Sequence, residues 1–443
     1  MANSYLSRTP ASAGNRQIFT FSFWTKISNV TSRMATYNWG NSTGTIGSGD
    51  GQIFFNQGSD QSLVVSCGGG VDINVATTQR FRDVSGWYHI VVAFDTTQAT
   101  ASNRVKVYIN GTQVTSFSAT SYPSQNYNLN VTNTSIQRLG TGYDGGITYY
   151  YDGSMASFYL IDGQALTPSS FGETDATTGI WKPKAYTGSY GTNGFFLKFE
   201  NSGSLGTDSS GNGNNFTVNG TPTQTVDTPS NVFATFNPLG NSSGTYSNGN
   251  LTRAGGNDTI STFGVTAGKW YWEYKLDTQG SGGSASHWGI VTSNSQRNAD
   301  DYVSSVAGFG AIFIRHDYAG TINSYASGGF SSISNTNISS VTFTNNDIIS
   351  CAVDLNSATK ELKMYKNNVH ILTSTFSYDG TTPVYAYVRY NSGSAGSVNF
   401  GNGRFGTTAI SSPYSDGAGF GKFQYQPPTG YYSLCTKNIN VYG

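Results

Sequence analysis

The chain has 443 residues, and this length favours two or three domains, each large enough to bury its own core. Only 11% of the residues are charged, and 24 basic residues balance 24 acidic ones, so no net charge attracts nucleic acid or an anionic membrane. With 55 glycines and 14% aromatic residues, the composition favours strands and turns and excludes a disordered chain.

No apolar run approaches the roughly 18 residues that a membrane span needs, and the first residues resemble no secretion signal. We therefore expect a soluble chain without membrane insertion that is not exported through a signal peptide. Cys67, Cys351 and Cys435 are odd in number and widely spaced, which excludes a disulfide framework and a CxxC metal site. We expect all three to be buried thiols.

Alternation of apolar and polar residues is the dominant pattern, and it starts in the first strand that can be recognised. Phe19, Phe21 and Phe23 fall on one face of this strand, and Thr20 and Ser22 fall on the other. The pattern predicts a strand whose phenylalanines enter a core while its hydroxyl side chains face water.

The same period-two pattern returns over residues 88–94 and 105–109. Asn110 and Gly111 follow directly, and this pair readily adopts the positive φ angles of a type I′ turn. The sequence therefore predicts a hairpin that continues into residues 112–114. Helical periodicity is nearly absent, and only residues 167–171, with Pro168 after a potential cap, predict a single helical turn.

A weak internal repeat divides the chain into halves. Residues 105–111 align without gaps on residues 362–368, and each segment follows an apolar strand that ends in aspartate, at Asp95 and Asp354. The same hairpin is therefore predicted once in each half.

The predicted fold class is all-β, because short strands are frequent and no helices are available to cover a parallel sheet. We predict two antiparallel β-sandwiches of the jelly-roll type in tandem, over residues 1–224 and 251–443. Residues 225–250 are rich in Gly, Ser, Thr and Asn, and we predict that they form the linker.

The first half resembles the laminin-G-like, concanavalin A-like jelly-roll family. The segments that carry the resemblance are residues 19–24, 86–95, 105–111 and 153–161 with 165–167. Residues 208–215 resemble a motif that usually lies near the start of these domains. Its late position here implies a permuted edge strand.

The second half resembles a SPRY-type sandwich. This resemblance rests on residues 268–274, 288–291, 347–354, 364–367 and 398–401. Such a domain implies a recognition surface built from loops, for which residues 286–288 and 315–318 are candidates, with Trp288 itself expected in the core.

The pairing of these two domains, together with residues 5–10 and 163–172, resembles virion surface proteins of tailed bacteriophages. The resemblance implies a fibre, tail-tip or capsid-decoration subunit, assembled in the host cytoplasm and located on the virion surface. Its expected partners are other virion proteins and host-surface carbohydrate, with no nucleic acid. It also implies a homo-oligomer, with a trimer favoured.

The enzymatic interpretation considered is a retaining glycosidase. Such an enzyme needs two carboxyl groups about 5 Å apart. For the glutamates Glu173, Glu200, Glu273 and Glu361 we expect no second acid two or four residues away on the same strand face; the nearest is Asp175, beside the predicted helical turn. We therefore expect no enzyme activity. A polysaccharide depolymerase is the alternative, and a purely architectural subunit is a third interpretation.

Sugar sites combine aromatic platforms with Asp and Asn side chains. The candidate ligand-binding residues are Tyr143, Asp144, Tyr149, Tyr151 and Asp152 in the first half and His316, Asp317 and Tyr318 in the second. The alternative for the tyrosines is simple packing within the sheet.

Two further polar sites have structural alternatives. Asp208, Asn212 and Asn214 are candidate calcium ligands, with an Asx-rich turn as the alternative, and no other cofactor is expected. His89 lies in an apolar strand, where we expect a buried, hydrogen-bonded histidine.

Overall fold

In the computed structural model of the protein, contacts divide the chain into two units. One comprises Met1–Gln224 with Thr228–Ser230, and the other comprises Thr225–Asp227 with Asn231–Gly443. The structure describes residues 4–40, 46–55, 60–239, 244–256, 258–280, 286–292, 310–316, 321–325, 329–336, 341–390 and 393–443.

The described part of the first unit consists of short strands and three 3-10 turns, at Gly68–Gly70, Ala101–Asn103 and Pro168–Ser170. The strands are β1 (Tyr5–Arg8), β2 (Ile18–Ile27), β3 (Met34–Trp39), β4 (Gly51–Phe55), β5 (Ser62–Cys67), β6 (Ile73–Arg80), β7 (Tyr88–Asp95), β8 (Val105–Ile109), β9 (Thr112–Gln113), β10 (Phe117–Ser121), β11 (Gln137–Leu139), β12 (Gly142–Tyr143), β13 (Ile147–Thr148), β14 (Gly153–Asp162), β15 (Gly172–Thr174), β16 (Trp181–Pro183), β17 (Phe195–Leu197) and β18 (Thr217–Asn219).

Two antiparallel sheets form the first sandwich. The larger has eight strands in the order β10-β6-β5-β4-β3-β11-β1-β18, and the smaller has six in the order β17-β14-β2-β7-β8-β9. Aromatic rings fill the space between them: Phe21 lies 4.8 Å from Tyr37, and Phe23 stacks on Phe158 at 4.9 Å between ring centroids. The predicted edge strand after residues 208–215 is β18, which pairs with β1.

The prediction that Thr20 and Ser22 face water is wrong, because both are fully buried. The segment after β14 covers the outward face of the six-stranded sheet: the Leu166 backbone N–H donates to Thr20 Oγ1 at 2.8 Å. A buried cluster with Val91, Tyr159 and Phe171 lies beneath this cover. Thr20 and Ser22 alternate with the phenylalanines as expected, but their hydroxyl groups form hydrogen bonds inside the protein and do not face water.

The repeated hairpin is confirmed in both halves at the level of single hydrogen bonds. Asn110 and Asn367 each adopt a φ of 47°. Asn110 Oδ1 accepts a hydrogen bond from the backbone N–H of His89, and Asn367 Oδ1 accepts one from Ile348, both at 2.8 Å. Each asparagine therefore closes a type I′ turn and also ties it to the start of the neighbouring strand, which contains His89 in the first half and Ile348 in the second.

The second unit is also built from strands within the described residues, with one short helix, α1 (Thr436–Tyr442). The strands are β19 (Thr245–Ser247), β20 (Thr252–Ala254), β21 (Asp258–Val265), β22 (Lys269–Thr278), β23 (Ser286–Val291), β24 (Ala311–His316), β25 (Thr321–Tyr325), β26 (Phe330–Thr336), β27 (Ile348–Asp354), β28 (Lys360–Lys366), β29 (Val369–Tyr378), β30 (Val384–Arg389), β31 (Ala395–Asn399), β32 (Arg404–Phe405), β33 (Thr408–Ala409), β34 (Tyr414–Ser415), β35 (Lys422–Phe423) and β36 (Tyr432–Ser433).

A nine-stranded and a five-stranded sheet form the second sandwich. The larger runs β19-β20-β31-β22-β27-β28-β29-β26, with β36 added in parallel beside β22, and the smaller runs β21-β30-β23-β24-β25. Trp270, Trp272 and Trp288 are buried between the sheets, so the expected core position of Trp288 is confirmed. The all-β class with two sandwiches in tandem is thus confirmed.

The linker is shorter than the predicted range of residues 225–250. From Asn231 the chain belongs to the second unit, where Ala234 and Phe236 enter its core and β19 begins at Thr245. The Gly, Ser, Thr and Asn residues on which the linker prediction rests form turns between these few buried apolar residues.

The helix α1 has no counterpart in the sequence predictions. Its Asn and β-branched residues have low helix propensity, so packing must stabilise it. Ile439 and Tyr442 pack against the second core, and the Asn438 amide donates to Asp416 Oδ2 at 2.9 Å. The described residues contain no helix long and apolar enough to cross a membrane.

A buried carboxylate fixes the C-terminal segment to the nine-stranded sheet. Glu273 is fully buried in β22, and its two carboxylate oxygens accept hydrogen bonds from the backbone N–H groups of Gln424 and Tyr425, each at 2.8 Å. The Asn399 amide and the Tyr271 hydroxyl donate to the same carboxylate at 3.1 and 3.2 Å. Burial nevertheless raises the pKa of Glu273 to about 7.

We expect Glu273→Gln to lower the free energy of unfolding by about 2 kcal/mol, because the amide nitrogen of glutamine cannot accept a hydrogen bond from these donors. Urea denaturation of the full chain measures the change. Glu200→Gln is the control, since the Glu200 side chain is 77% exposed. Equal stability of the two variants would contradict the proposed role of Glu273.

The buried histidine His89 predicts a specific pH dependence. Its Nδ1 accepts a hydrogen bond from Trp181 Nε1 at 2.9 Å, so the ring proton lies on Nε2, which contacts Ser22 Oγ at 2.9 Å. The expected hydrogen-bonded histidine is confirmed. Burial lowers the pKa of His89 to about 3.

Between the folded pKa of about 3 and the unfolded value of about 6.5, the unfolded state binds one more proton. The contribution of neutral His89 to stability is therefore complete above about pH 6.5 and is lost as the pH falls toward 3. We expect His89→Gln to reduce the slope of unfolding free energy against pH in this window by up to about 1.4 kcal/mol per pH unit. His370→Gln, which changes an exposed histidine, is the control and should keep the wild-type slope. If His89→Gln also kept the wild-type slope, the assignment of this pH dependence to buried His89 would be refuted.

Candidate functional site

The outward face of the eight-stranded sheet carries a continuous row of polar residues. Inward positions such as Leu6, Tyr37 and Ile53 belong to the core, so their neighbours along each strand point outward. Strand pairing aligns one outward polar residue from every strand: Thr217, Ser7, Arg138, Asn38, Gln52, Ser66, Asn74 and Ser121. We call this set the polar row.

A second row on the same face is apolar. It consists of Ala35, Phe54, Val64, Ala76 and Ala119, which are aligned on neighbouring strands in the same way. The two rows lie side by side, and Ala35, Phe54, Val64 and Ala76 form a buried cluster against which Tyr149 packs, so most of the apolar row is covered.

Gln52 is the unusual member of the polar row. Its side chain is 1% exposed, and neither its amide oxygen nor its amide nitrogen has a hydrogen-bond partner among the described residues. The adjacent Asn38 is satisfied, since it donates to Gly51 O at 3.2 Å and accepts from Arg138 Nη1 at 3.1 Å. A buried amide without partners is destabilising by about 1–3 kcal/mol, so such groups are uncommon in folded proteins.

The hairpin formed by β12 and β13 covers this part of the face. A Cβ atom at Gly142 would lie 2.8 Å from Gln52 Oε1 and 3.1 Å from Ala35 Cβ, so a larger residue here would displace the Gln52 side chain. The Ala35 backbone N–H donates to Tyr149 O at 2.9 Å and holds the end of the hairpin against β3.

An arginine fixes the aromatic part of the hairpin. The Arg33 guanidinium lies between the rings of Phe54 and Tyr149, 4.0 and 4.2 Å from their centroids. Tyr149 adopts a φ of 54°, which is unfavourable for a tyrosine, and its hydroxyl donates to Asp144 Oδ2 at 3.1 Å. Burial lowers the pKa of Arg33.

The five candidate residues of the first half therefore separate into two groups. Asp144 is exposed, and Tyr149 is half-buried against the apolar row. Tyr143 and Tyr151 are buried; the Tyr151 hydroxyl bonds Thr25 Oγ1 within the sandwich, as in the packing alternative. Asp152 is half-buried, and burial raises its pKa.

The predicted loop surface in the second half is placed differently. Ser286, His287 and Trp288 are buried in β23, where His287 stacks on Phe313 at 4.7 Å between ring centroids. The prediction of an exposed loop surface at these residues is wrong, because they lie in a strand that is buried on both faces. His316 ends β24, while its side chain and residues Asp317 and Tyr318 lie outside the described residues.

The candidate calcium ligands form a closed hydrogen-bond network. Asp208 accepts hydrogen bonds from the backbone N–H groups of Phe196 and Ser210 at one oxygen and from Asn214 N–H at the other. Asn214 Oδ1 accepts from Arg8 Nη2 at 2.7 Å, and the Asn212 amide donates to backbone carbonyls. The geometry is that of the Asx-rich turn, and a cation would have to displace these donors. The described residues contain no group of three or more His, Cys, Asp or Glu side chains arranged for a metal.

The glutamates are held by structural contacts. Glu173 lies 3.6 Å from Lys182, Glu200 lies 3.9 Å from Lys198, and Glu361 lies 2.6 Å from Lys363. The expectation that no glutamate has a second acid four residues away on its strand is wrong for β22, where Asp277 follows Glu273. The Asp277 carboxylate bonds Lys275 and Ser397, whereas that of Glu273 accepts hydrogen bonds from the C-terminal segment. All three cysteines are buried free thiols, as expected.

Comparison with known proteins agrees with the two-unit architecture. A family model described as the concanavalin A-like lectin/glucanases superfamily matches residues 2–171, and a SPRY domain model matches residues 269–403. The chain contains a concanavalin A-like domain followed by a SPRY domain. A comparison with curated proteins found no match.

Solved structures similar to the chain include both kinds of domain. The SPRY domain of human HERC1 has 18% identity and a TM-score of 0.27, with 37% of this chain and 96% of that chain covered. A putative carbohydrate binding protein from Bacteroides ovatus has 16% identity and a TM-score of 0.31, with 49% and 56% covered. Domains LG4-5 of the mouse laminin alpha1 chain have 8% identity and a TM-score of 0.27, with 87% and 78% covered.

Sequence reasoning missed the polar row and Gln52. The alternation of each strand signals an outward polar residue, but the row also needs the register between strands distant in sequence, such as β1 with β11 and β11 with β3.

We expect Gln52→Met to raise the unfolding free energy of the concanavalin A-like domain by about 1 kcal/mol, because it removes a buried amide without partners and conserves volume. Asn38→Leu in the same row should instead destabilise, since it leaves the Arg138 side chain without an acceptor. Thermal unfolding of both variants compares the two effects. A loss of stability in Gln52→Met as large as in Asn38→Leu would contradict the account of Gln52.

Proposed function

We propose that the chain is a non-enzymatic binding module whose concanavalin A-like domain holds a neutral glycan on the outward face of the eight-stranded sheet. The observation that carries the proposal is the buried, unpartnered Gln52 amide within a polar row that adjoins an apolar row. A sugar hydroxyl both donates and accepts, so it can satisfy an amide, while its C–H faces suit apolar and aromatic surface.

The shape of the face supports an extended ligand. Beyond Gln52 the polar row continues through Ser66, Asn74 and Ser121, which are half-buried, and Tyr149, bonded to Asp144, packs against the adjoining apolar row. A saccharide along Ser66 and Asn74 would lie beside Gln52, which pairs with Ser66, and contact with the Gln52 amide would require the β12–β13 hairpin to move away from it. Arg138 is the one charged member of the polar row and already donates to Asn38, which favours a neutral ligand over an anionic one.

The proposal extends to a place on the virion surface of a tailed bacteriophage, with other virion proteins as partners. This part rests on the resemblance of the domain pairing and of residues 163–172 to such proteins. A cyclic trimer would give useful avidity to individually weak sugar contacts.

We expect the full chain to bind at least one bacterial surface polysaccharide on a glycan array, with Gln52→Met and Tyr149→Ala each weakening binding at least tenfold. Tyr414→Ala is the matched control, because Tyr414 is an exposed tyrosine of the SPRY domain. Binding that is unchanged in both site variants would refute the site. Release of reducing ends from the polysaccharide would refute the non-enzymatic role and favour a depolymerase.

Labelling of purified phage particles with an antibody against the chain tests the virion assignment. We expect label on the particle surface, and its position separates a tail fibre from a capsid decoration. A protein absent from purified particles would refute the assignment, while a virion protein that binds no glycan would be an architectural subunit.

A further inference from the structure

The β12–β13 hairpin is fixed to the sandwich at its base. Gly140 begins the hairpin with a φ of 85°, and its backbone N–H donates to Thr36 O at 2.8 Å. At the other end the backbone N–H of Tyr151 donates to Gly140 O at 2.9 Å. The turn is unlike the base, because a Cβ atom at Gly145 or Gly146 would meet no atom within 4 Å.

The hairpin is bonded internally and can move as one body. Its two strands pair at two positions, and Thr141 Oγ1 donates to Thr148 O at 2.8 Å. These hydrogen bonds do not involve the sheet, so a rotation of the hairpin about its base leaves them intact. Towards the sheet, the ring centroid of Tyr143 lies 5.4 Å from Arg138 Cζ.

Arg33 makes the closer contact between the hairpin and the sheet. Its guanidinium lies between the ring of Phe54 on β4 and the ring of Tyr149 at the end of the hairpin, 4.0 and 4.2 Å from their centroids. Beside this stack the backbone N–H of Ala35 donates to Tyr149 O at 2.9 Å. The position of Tyr149 against the sheet therefore depends on one stacked cation and one hydrogen bond.

The closed position of the hairpin has three unfavourable features. The Gln52 amide is buried without a hydrogen-bond partner among the described residues, and so is Arg33 Nε. Tyr149 has a φ of 54°, in the left-handed region. Movement of the hairpin away from the sheet would expose the two polar groups to water and would free Tyr149 from this constraint.

We propose that the β12–β13 hairpin is a lid on the glycan-binding face and that Arg33 is the residue that holds it closed. The inference rests on the proposed function, because a saccharide contacts the Gln52 amide only after the hairpin has moved away. Binding then requires the open state, and the fraction of open molecules scales the apparent affinity. Arg33 is thus a positioning residue, which controls access to the site without contact with the saccharide.

Hydrogen exchange of the ligand-free full chain, resolved to single amides, tests the lid. The Ala35 N–H reports closure, because its acceptor lies on the hairpin, and the Gly140 N–H reports the base. We expect Arg33→Met to speed exchange at Ala35 at least tenfold and to leave exchange at Gly140 unchanged. Arg82→Met, which changes an exposed arginine of the same domain, is the matched control and should alter neither amide.

Equal Ala35 exchange in the Arg33 and Arg82 variants would overturn the proposal. Faster exchange at Gly140 as well as at Ala35 would also overturn it, because the base would then open together with the hairpin. Arg33→Lys keeps the positive charge without the planar stack, so it should speed Ala35 exchange by a smaller factor. This variant replaces Arg33→Met if the methionine variant does not fold.

Glycan binding separates failure of the lid from failure of the site. While the open state is a minority, Arg33→Met should tighten binding of a polysaccharide by the factor by which it speeds Ala35 exchange, since both follow the open fraction. Binding that requires Gln52 but is unchanged or weaker in Arg33→Met would overturn the lid and leave the site. Faster exchange without binding of any glycan would refute the proposed function and leave the opening of the hairpin established.

Discussion

Both domains depend on the burial of one sheet on both of its faces. In the concanavalin A-like domain the segment after β14 covers the six-stranded sheet, and His89 is the polar anchor beneath it, between Ser22 and Trp181. In the SPRY domain the C-terminal segment covers the nine-stranded sheet, and Glu273 is the anchor. The second face of each sheet also carries polar side chains. It can be buried under a covering segment only where hydrogen-bonded anchors of this kind satisfy those side chains.

This constraint decides where a ligand can bind in the first domain. The six-stranded sheet is closed by its cover, whereas the eight-stranded sheet presents a polar and an apolar row under a hairpin of two-residue strands. Gln52 is left without a partner at the point where the hairpin crosses the row. On the proposed function, Gln52 is retained for binding at a cost in stability, so an apolar residue at this position is expected to be more stable.

Local patterns in the sequence predict much of the fold. Alternation places Phe19, Phe21 and Phe23 in the core, and Asn110–Gly111 predicts the hairpin, because both signals depend only on neighbouring residues. The burial of Thr20, the entry of Phe236 into the second core and the helix α1 depend on segments distant in sequence, and local patterns do not contain them. The candidate site is harder to predict from the sequence than the fold, since the polar row exists only once eight strands have a fixed register. Two of the candidate tyrosines, Tyr143 and Tyr151, are buried and largely serve packing.

The central claim is that a sugar hydroxyl supplies the missing partner of Gln52. A crystal structure of the full chain soaked with oligosaccharides from a polysaccharide that it binds tests this most directly. The account predicts saccharide density along Ser66 and Asn74, with one hydroxyl within about 3 Å of the Gln52 amide. Density confined to other loops, with the Gln52 amide still unpartnered, would contradict it.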